Sequence, residues 1–178
     1  MSTHPSLKWL CGGPGAGFLW VNLNEVKEFT PLDVGWFSQE TPFDLNIHHF
    51  HYAKTALRFL GGTPSVFPLF LATSGIQTIT DIGIHKIYKH NQALIETLLH
   101  VAEEQTLNVL TPMNPTHRGG TFVIKFADPE KVINLFNKHH IMVDSMHHFG
   151  MRFSPHIYNT KDEINTMVDV LKMVTESE

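Results

Sequence analysis

The stretch Ser6-Leu7-Lys8-Trp9-Leu10-Cys11-Gly12-Gly13-Pro14-Gly15-Ala16-Gly17-Phe18-Leu19-Trp20-Val21-Asn22 sets a lysine ahead of a turn dense in glycine that runs straight into an apolar segment of strand length. Gly17 to Asn22 therefore reads as a buried strand. The turn is not a nucleotide-binding loop, because it leads into a strand rather than a helix and lacks the Lys-Ser/Thr ending that cradles phosphates. Taken alone, Lys8 is a solvated surface lysine. Cys11 reads as a small buried apolar residue, since nothing around it activates a thiol.

Downstream, periodicity fades from Leu23 to Gly62, where Pro31, Pro42 and clustered polar residues mark an extended, loop-rich passage of the kind that lines sites. Helical signals resume after Gly61-Gly62-Thr63-Pro64, with Pro64 placed to open a helix. A second helix is clearer: Ile84, Ile87, Tyr88, Asn91, Ile95, Leu98 and Ala102 alternate at spacings of three and four, giving one core-facing stripe.

Beyond Gln105 the pattern shortens into a small α/β unit. Leu107 to Leu110 reads as a strand, and so does Thr121 to Phe126, where Phe122, Ile124 and Phe126 share a face. Asp128-Pro129 opens a helix running to His139. Ile141 to Asp144 and Phe149 to Phe153 read as further strands, and Thr160-Lys161-Asp162-Glu163 is a capping box before a last amphipathic helix.

The 178 residues, 42% hydrophobic and 17% charged, describe an ordinary globular chain. A net charge of -4 with no basic run argues against a nucleic-acid partner. One cysteine calls for no oxidising compartment, and no apolar run reaches the roughly 18 residues of a membrane helix, so the chain reads as cytoplasmic with no membrane partner. Thirteen histidines, including His48-His49-Phe50-His51, His139-His140 and His147-His148, raise a metal-binding alternative, but no zinc-ligand spacing occurs and no metal is expected. His147, His148 and His156 flank Arg152 and are candidates to line a pocket, against a plainer reading as polar loop residues.

Four segments occur in a telling order: Ser6 to Gly15; Val34-Gly35-Trp36-Phe37-Ser38-Gln39-Glu40; Arg58-Phe59-Leu60-Gly61-Gly62-Thr63-Pro64; and Met151-Arg152-Phe153-Ser154-Pro155-His156-Ile157-Tyr158-Asn159-Thr160. Together they resemble the C-terminal half of fold-type I, pyridoxal-phosphate-dependent enzymes of the class V aminotransferase group, and among these the kynureninases. The resemblance implies an α/β fold with residues 1–80 as the end of the large cofactor-binding domain, 81–105 as a long connecting helix and 106–178 as a small C-terminal domain. It implies pyridoxal 5'-phosphate as cofactor, Lys8 as the Schiff-base lysine, Trp36 as a contact to the cofactor phosphate, Thr63 as the residue that reaches the phosphate in the partner subunit's site, and Arg152 as holder of the substrate α-carboxylate. It further implies an amino-acid substrate, a homodimer, and kynureninase-like side-chain cleavage. Class V transamination and cysteine-desulfurase-like activity are the alternatives.

These residue types suit that chemistry. An unprotonated lysine amine condenses with an aldehyde and afterwards moves a proton, while a guanidinium fork grips a carboxylate through parallel donors. The chain departs from the group in two ways. Thr63 stands where many kynureninases carry asparagine, which is closer to the wider class V pattern. The half that normally supplies the phosphate-cradling turn, the ring-stacking aromatic and the aspartate at the pyridine nitrogen has no counterpart, and the strand delivering Lys8 is expected to be missing, leaving an exposed sheet edge. Two further expectations follow: the rest of the site lies on a chain carrying the other half, or this chain is a non-catalytic remnant or assembly subunit.

Overall fold

The computed structural model describes residues 2–25, 29–146 and 149–176. They form two compact units, Met1–Asp81 and Ile82–Glu178.

The first unit opens with an antiparallel hairpin, β1 (Ser2–Pro5) against β2 (Gly17–Trp20), in register from Ser2↔Trp20 to Pro5↔Gly17. A strand thus does precede Lys8, contrary to expectation. The apolar run after the turn is a strand but not a buried one, because Phe18 and Trp20 remain 45% and 60% exposed. The physical reason is the size of the sheet: with two strands, β2 has no layer packed over both faces, and alternating Phe18-Leu19-Trp20 needs cover on both. Residues 29–64 are irregular apart from short 3-10 turns at Trp36–Ser38, Pro42–Asp44 and Ala56–Phe59. Helix α1 then spans Val66–Ile82, beginning two residues after Pro64.

In the second unit, Gly83 at φ +90 separates α1 from α2 (Ile84–Glu104), a backbone angle that glycine adopts without a Cβ clash. Strands β3 (Asn108–Val109), β4 (Phe122–Lys125), β5 (Asp144–Met146) and β6 (Gly150–Phe153) make an antiparallel sheet in the order β3-β4-β6-β5. Helices α3 (Pro129–Lys138) and α4 (Lys161–Glu176) complete it. The core is a one-sided layer. Phe122, Ile124, Met151 and Phe153 point from the sheet into Leu94, Ile95 and Leu98 of α2, Phe136 of α3 and Leu171 of α4, all essentially buried. Each such side chain contributes about 1.5–3 kcal/mol on leaving water.

Two details depart from the sequence pattern. Ile84 and Tyr88 of the α2 stripe stay exposed, with the Tyr88 hydroxyl donating to Pro115 O at 3.0 Å. Ile141 to Val143 lie outside the ladder, because the Ile141 N–H closes the end of α3 on Phe136 O at 3.0 Å and is not offered to a neighbouring strand. Here β5 begins only at Asp144.

Candidate functional site

Lys8 sits on an exposed turn whose shape comes from Ser6. That serine is fully buried. Its Oγ and backbone N–H both donate to Ala16 O, at 3.0 and 3.1 Å, and its own carbonyl accepts from Gly12 N–H at 2.8 Å. Cys11 N–H donates to Lys8 O at 2.9 Å. Positive φ at Cys11, Gly13 and Gly15 folds the chain back on itself. Cys11 is exposed rather than buried, because this left-handed position turns it to the surface of the loop. The loop rests on α1: a Cβ on Gly75 would come within 2.2 Å of Cys11 O, and one on Gly12 within 3.1 Å of the Ala72 methyl.

Just upstream of α1, the Trp36 turn meets the Gly61-Gly62-Thr63 segment. Gly35 makes this approach possible, since a Cβ there would fall 1.8 Å from Gly61 O. Phe37 N–H reaches Gly61 O at 3.4 Å, and the buried Ser38 hydroxyl donates to Leu60 O at 2.9 Å. The Trp36 indole nitrogen lies 3.9 Å from where a Gly62 Cβ would stand, next to exposed Thr63. Trp36 also packs edge-on against Phe43, with centroids 5.5 Å apart. The Trp36 indole thus lies beside Gly62, the residue before Thr63, and the 17-residue helix α1 begins three residues after Thr63. An indole N–H and a threonine hydroxyl are donors, the residue types that suit an anionic group such as the phosphate of pyridoxal phosphate. Arg58, by contrast, serves the fold. It is buried, donates to Ala53 O at 2.9 Å and Phe29 O at 3.1 Å, and lies over the Tyr52 ring.

Arg152 belongs to the second unit, in β6, where it stands directly opposite Val123 of β4 and Asp144 of β5. Its neighbours Met151 and Phe153 are buried, so by strand alternation Arg152 takes the opposite, half-open face. Its Nε donates to Asp144 Oδ1 at 2.9 Å and its Nη2 to Asp144 Oδ2. This side-chain bonding to Asp144 holds the guanidinium pKa above its ordinary value. Around the ends of β4 and β6, Asn91 of α2 donates to Pro155 O at 2.7 Å and Gly120 O at 3.1 Å. Its neighbour Gln92 donates to Gly119 O at 3.2 Å and accepts from buried Arg118 at 2.8 Å. His156 is buried and stacked on Tyr158, with centroids 4.5 Å apart. His147 and His148 lie outside the described residues.

The structure thus sets the Trp36 turn against Gly61 and Gly62, which Thr63 follows, and the Lys8 loop against α1, within the first unit. No role was read from sequence for Ser6 and Gly35, which lie inside matched segments, for Asn91, which falls in the α2 stripe, or for Asp144. Among the described residues no group of three or more histidine, cysteine, aspartate or glutamate side chains is arranged to hold a metal. No described helix is long and apolar enough to cross a membrane.

The sequence profile of the aminotransferase class-V family matches residues 1–167. A probable cysteine desulfurase from Pyrococcus abyssi is 27% identical over 93% of this chain and 44% of its own length. A kynureninase from Bacillus mycoides is 26% identical over 96% of this chain and 41% of its own length. Among solved structures, the apo cysteine desulfurase of Thermococcus onnurineus NA1 superposes with a TM-score of 0.85 at 23% identity, covering 99% of this chain and 47% of that one. The chain therefore spans less than half the length of these relatives and has the fold of their C-terminal half.

Proposed function

The chain belongs to the class-V aminotransferase family, and from that premise we propose that it is the lysine-bearing half of a pyridoxal-phosphate-dependent enzyme acting on an amino acid. In this reading Lys8 is the cofactor lysine, Trp36 and Thr63 hold the phosphate, and Arg152 holds the substrate carboxylate. The observation that supports it is the close approach of the Trp36 turn to Gly61 and Gly62, beside Thr63 and three residues ahead of α1.

When bound, the cofactor supplies an aldehyde and an electron-withdrawing ring. The residues of this chain do the rest. Lys8 offers a primary amine on an exposed turn, able to form a covalent link and, once displaced, to carry a proton at its Nζ. Trp36 Nε1 and the Thr63 hydroxyl would hold the phosphate end, each as a hydrogen-bond donor. Arg152 orients the substrate, because a planar guanidinium fixes a carboxylate in direction as well as position.

On reaction type, a kynureninase and a probable cysteine desulfurase match at nearly equal identity, so kynureninase-like side-chain cleavage has no advantage over desulfuration, and class V transamination stands beside them. The ring-stacking and pyridine-facing groups come, in this proposal, from a polypeptide corresponding to the other half of the relatives, and the completed enzyme forms a cytoplasmic homodimer. A second reading, a non-catalytic assembly subunit, is favoured by the exposure of Lys8 and of the hairpin. One experiment separates them. The chain is mixed with pyridoxal phosphate, with and without a separately produced upstream half, reduced with borohydride and mapped by mass spectrometry. A cofactor adduct on Lys8 supports the enzymatic reading; labelling that spreads over surface lysines and persists in Lys8→Arg overturns it.

A further inference from the structure

Resting on the reading that Arg152 takes the substrate carboxylate, we propose that Asp144 is a positioning residue that locks the Arg152 guanidinium side-on and leaves its end-on edge as the carboxylate dock. A guanidinium carries five N–H donors along its rim. Asp144 engages one edge, Nε with one hydrogen of Nη2. The adjoining edge, formed by Nη1 and the other hydrogen of Nη2, makes no hydrogen bond among the described residues. It is parallel-donor geometry of the kind that fits a second carboxylate. One arginine can therefore be held by an internal carboxylate and still offer a complete fork to an external one.

The sheet register enforces this arrangement. Asp144 and Arg152 are directly opposed on neighbouring antiparallel strands, and Val123 is opposed to Arg152 on the other side. The three form a row across the outer face, with an apolar neighbour on one flank of the arginine and an acid on the other. Arginine has a long stem with considerable rotamer freedom, and holding it in one orientation before ligand arrives lowers the ordering cost at binding. Against this, Asp144 brings a negative charge near an incoming carboxylate. Both side chains are partly open to water, at 33% for Arg152 and 55% for Asp144, so solvent screens that repulsion and leaves donor geometry as the larger effect. The two effects have opposite signs, which makes the role of Asp144 measurable.

The test titrates the full chain with L-alanine, using L-alaninamide as the control that lacks the carboxylate, and follows the arginine side-chain resonances by nitrogen-15 NMR. In the native chain, the Nη signals of Arg152 should shift with L-alanine and not with the amide, while the Nε–H signal stays in place. Asp144→Asn should weaken L-alanine binding by about tenfold, of the order expected from releasing the arginine stem. Asp144→Glu should recover part of it, and the backbone amides of β5 and β6 should be unchanged in both. If Asp144→Asn binds as tightly as the native chain or more tightly, while Arg152→Gln abolishes the response, Asp144 is a bystander or a competitor and this inference is wrong. If the L-alanine response is missing in the native chain, or survives in Arg152→Gln, the assignment of Arg152 itself is overturned.

Discussion

The Ser6 hydroxyl donates to Ala16 O at 3.0 Å and thereby ties shut the loop that presents Lys8. Because Ser6 is fully buried, water cannot replace that bond when it is removed. Ser6→Ala should cost about 1 kcal/mol in chemical denaturation. It should also speed amide hydrogen exchange at Cys11 and Gly12, whose N–H groups close the same loop on Lys8 O and Ser6 O. Unchanged exchange there would mean that the backbone bonds alone shape the turn.

Gly35 and Gly61 give a matched pair of substitutions. Alanine at Gly35 would place its methyl 1.8 Å from Gly61 O, a backbone atom with no rotamer to escape into, whereas alanine at Gly61 meets nothing within 4 Å. Gly35→Ala should therefore destabilise by about 1–3 kcal/mol or more and shift the Trp36 indole N–H resonance, since the two loops must separate. Gly61→Ala should leave both the melting curve and that resonance close to native.

What could be read in the sequence depended on whether burial was one-sided. Phe122, Ile124 and Phe126 alternate because one face of β4 meets helices and the other does not, and α3 and α4 carry apolar stripes for the same reason. The hairpin misled because Phe18 and Trp20 are apolar enough for a sheet interior that these two strands do not build. Ile141 to Val143 have strand-forming side chains, yet a helix end had already taken the Ile141 N–H. Of the candidate site, Lys8, Trp36, Thr63 and Arg152 were legible only through the order of four motifs. The partners that shape their surroundings, Ser6, Gly35 and Asp144, have no local signature, since each contact closes over a loop or across a register that periodicity does not encode.

Asn91 is a buried polar residue inside an apolar stripe. Its amide serves Pro155 O and Gly120 O, which flank the strands carrying Arg152 and Val123. Asn91→Leu keeps the helix face apolar but removes the donor from both carbonyls, and should destabilise by about 2–4 kcal/mol, more than most surface substitutions. Asn91→Asp should be at least as costly, because it turns an acceptor toward two acceptors. Urea melts of the two variants check this. Near-native stability in Asn91→Leu would show that the carbonyls find water.

The start of α4 should respond to acid through Glu163. Its carboxylate accepts from the Thr160 N–H at 2.7 Å, from the Asn159 amide and from the Thr160 hydroxyl, while its own N–H donates back to that hydroxyl at 3.3 Å. These bonds, the Thr160 N–H foremost, hold its pKa below the ordinary 4.5. Folding therefore favours the ionised form: the contribution is fully present above the unfolded pKa and is lost as pH falls through the lower, folded one. Asn159 extends the effect toward β6, since its Oδ1 accepts from His156 N–H at 2.8 Å and its carbonyl bonds the His90 ring at 2.9 Å. The protection of amides 161–164 against exchange, taken relative to the intrinsic rate at the same pH, should accordingly fall below about pH 4.5 in the native chain. Glu163→Gln, which keeps a capping oxygen without the titrating charge, should flatten that acid limb. Thr160→Ala should instead lower stability by about 1 kcal/mol at neutral pH, because it removes the hydroxyl that caps the first turn. An acid limb equally steep in Glu163→Gln would assign the pH response to some other carboxylate.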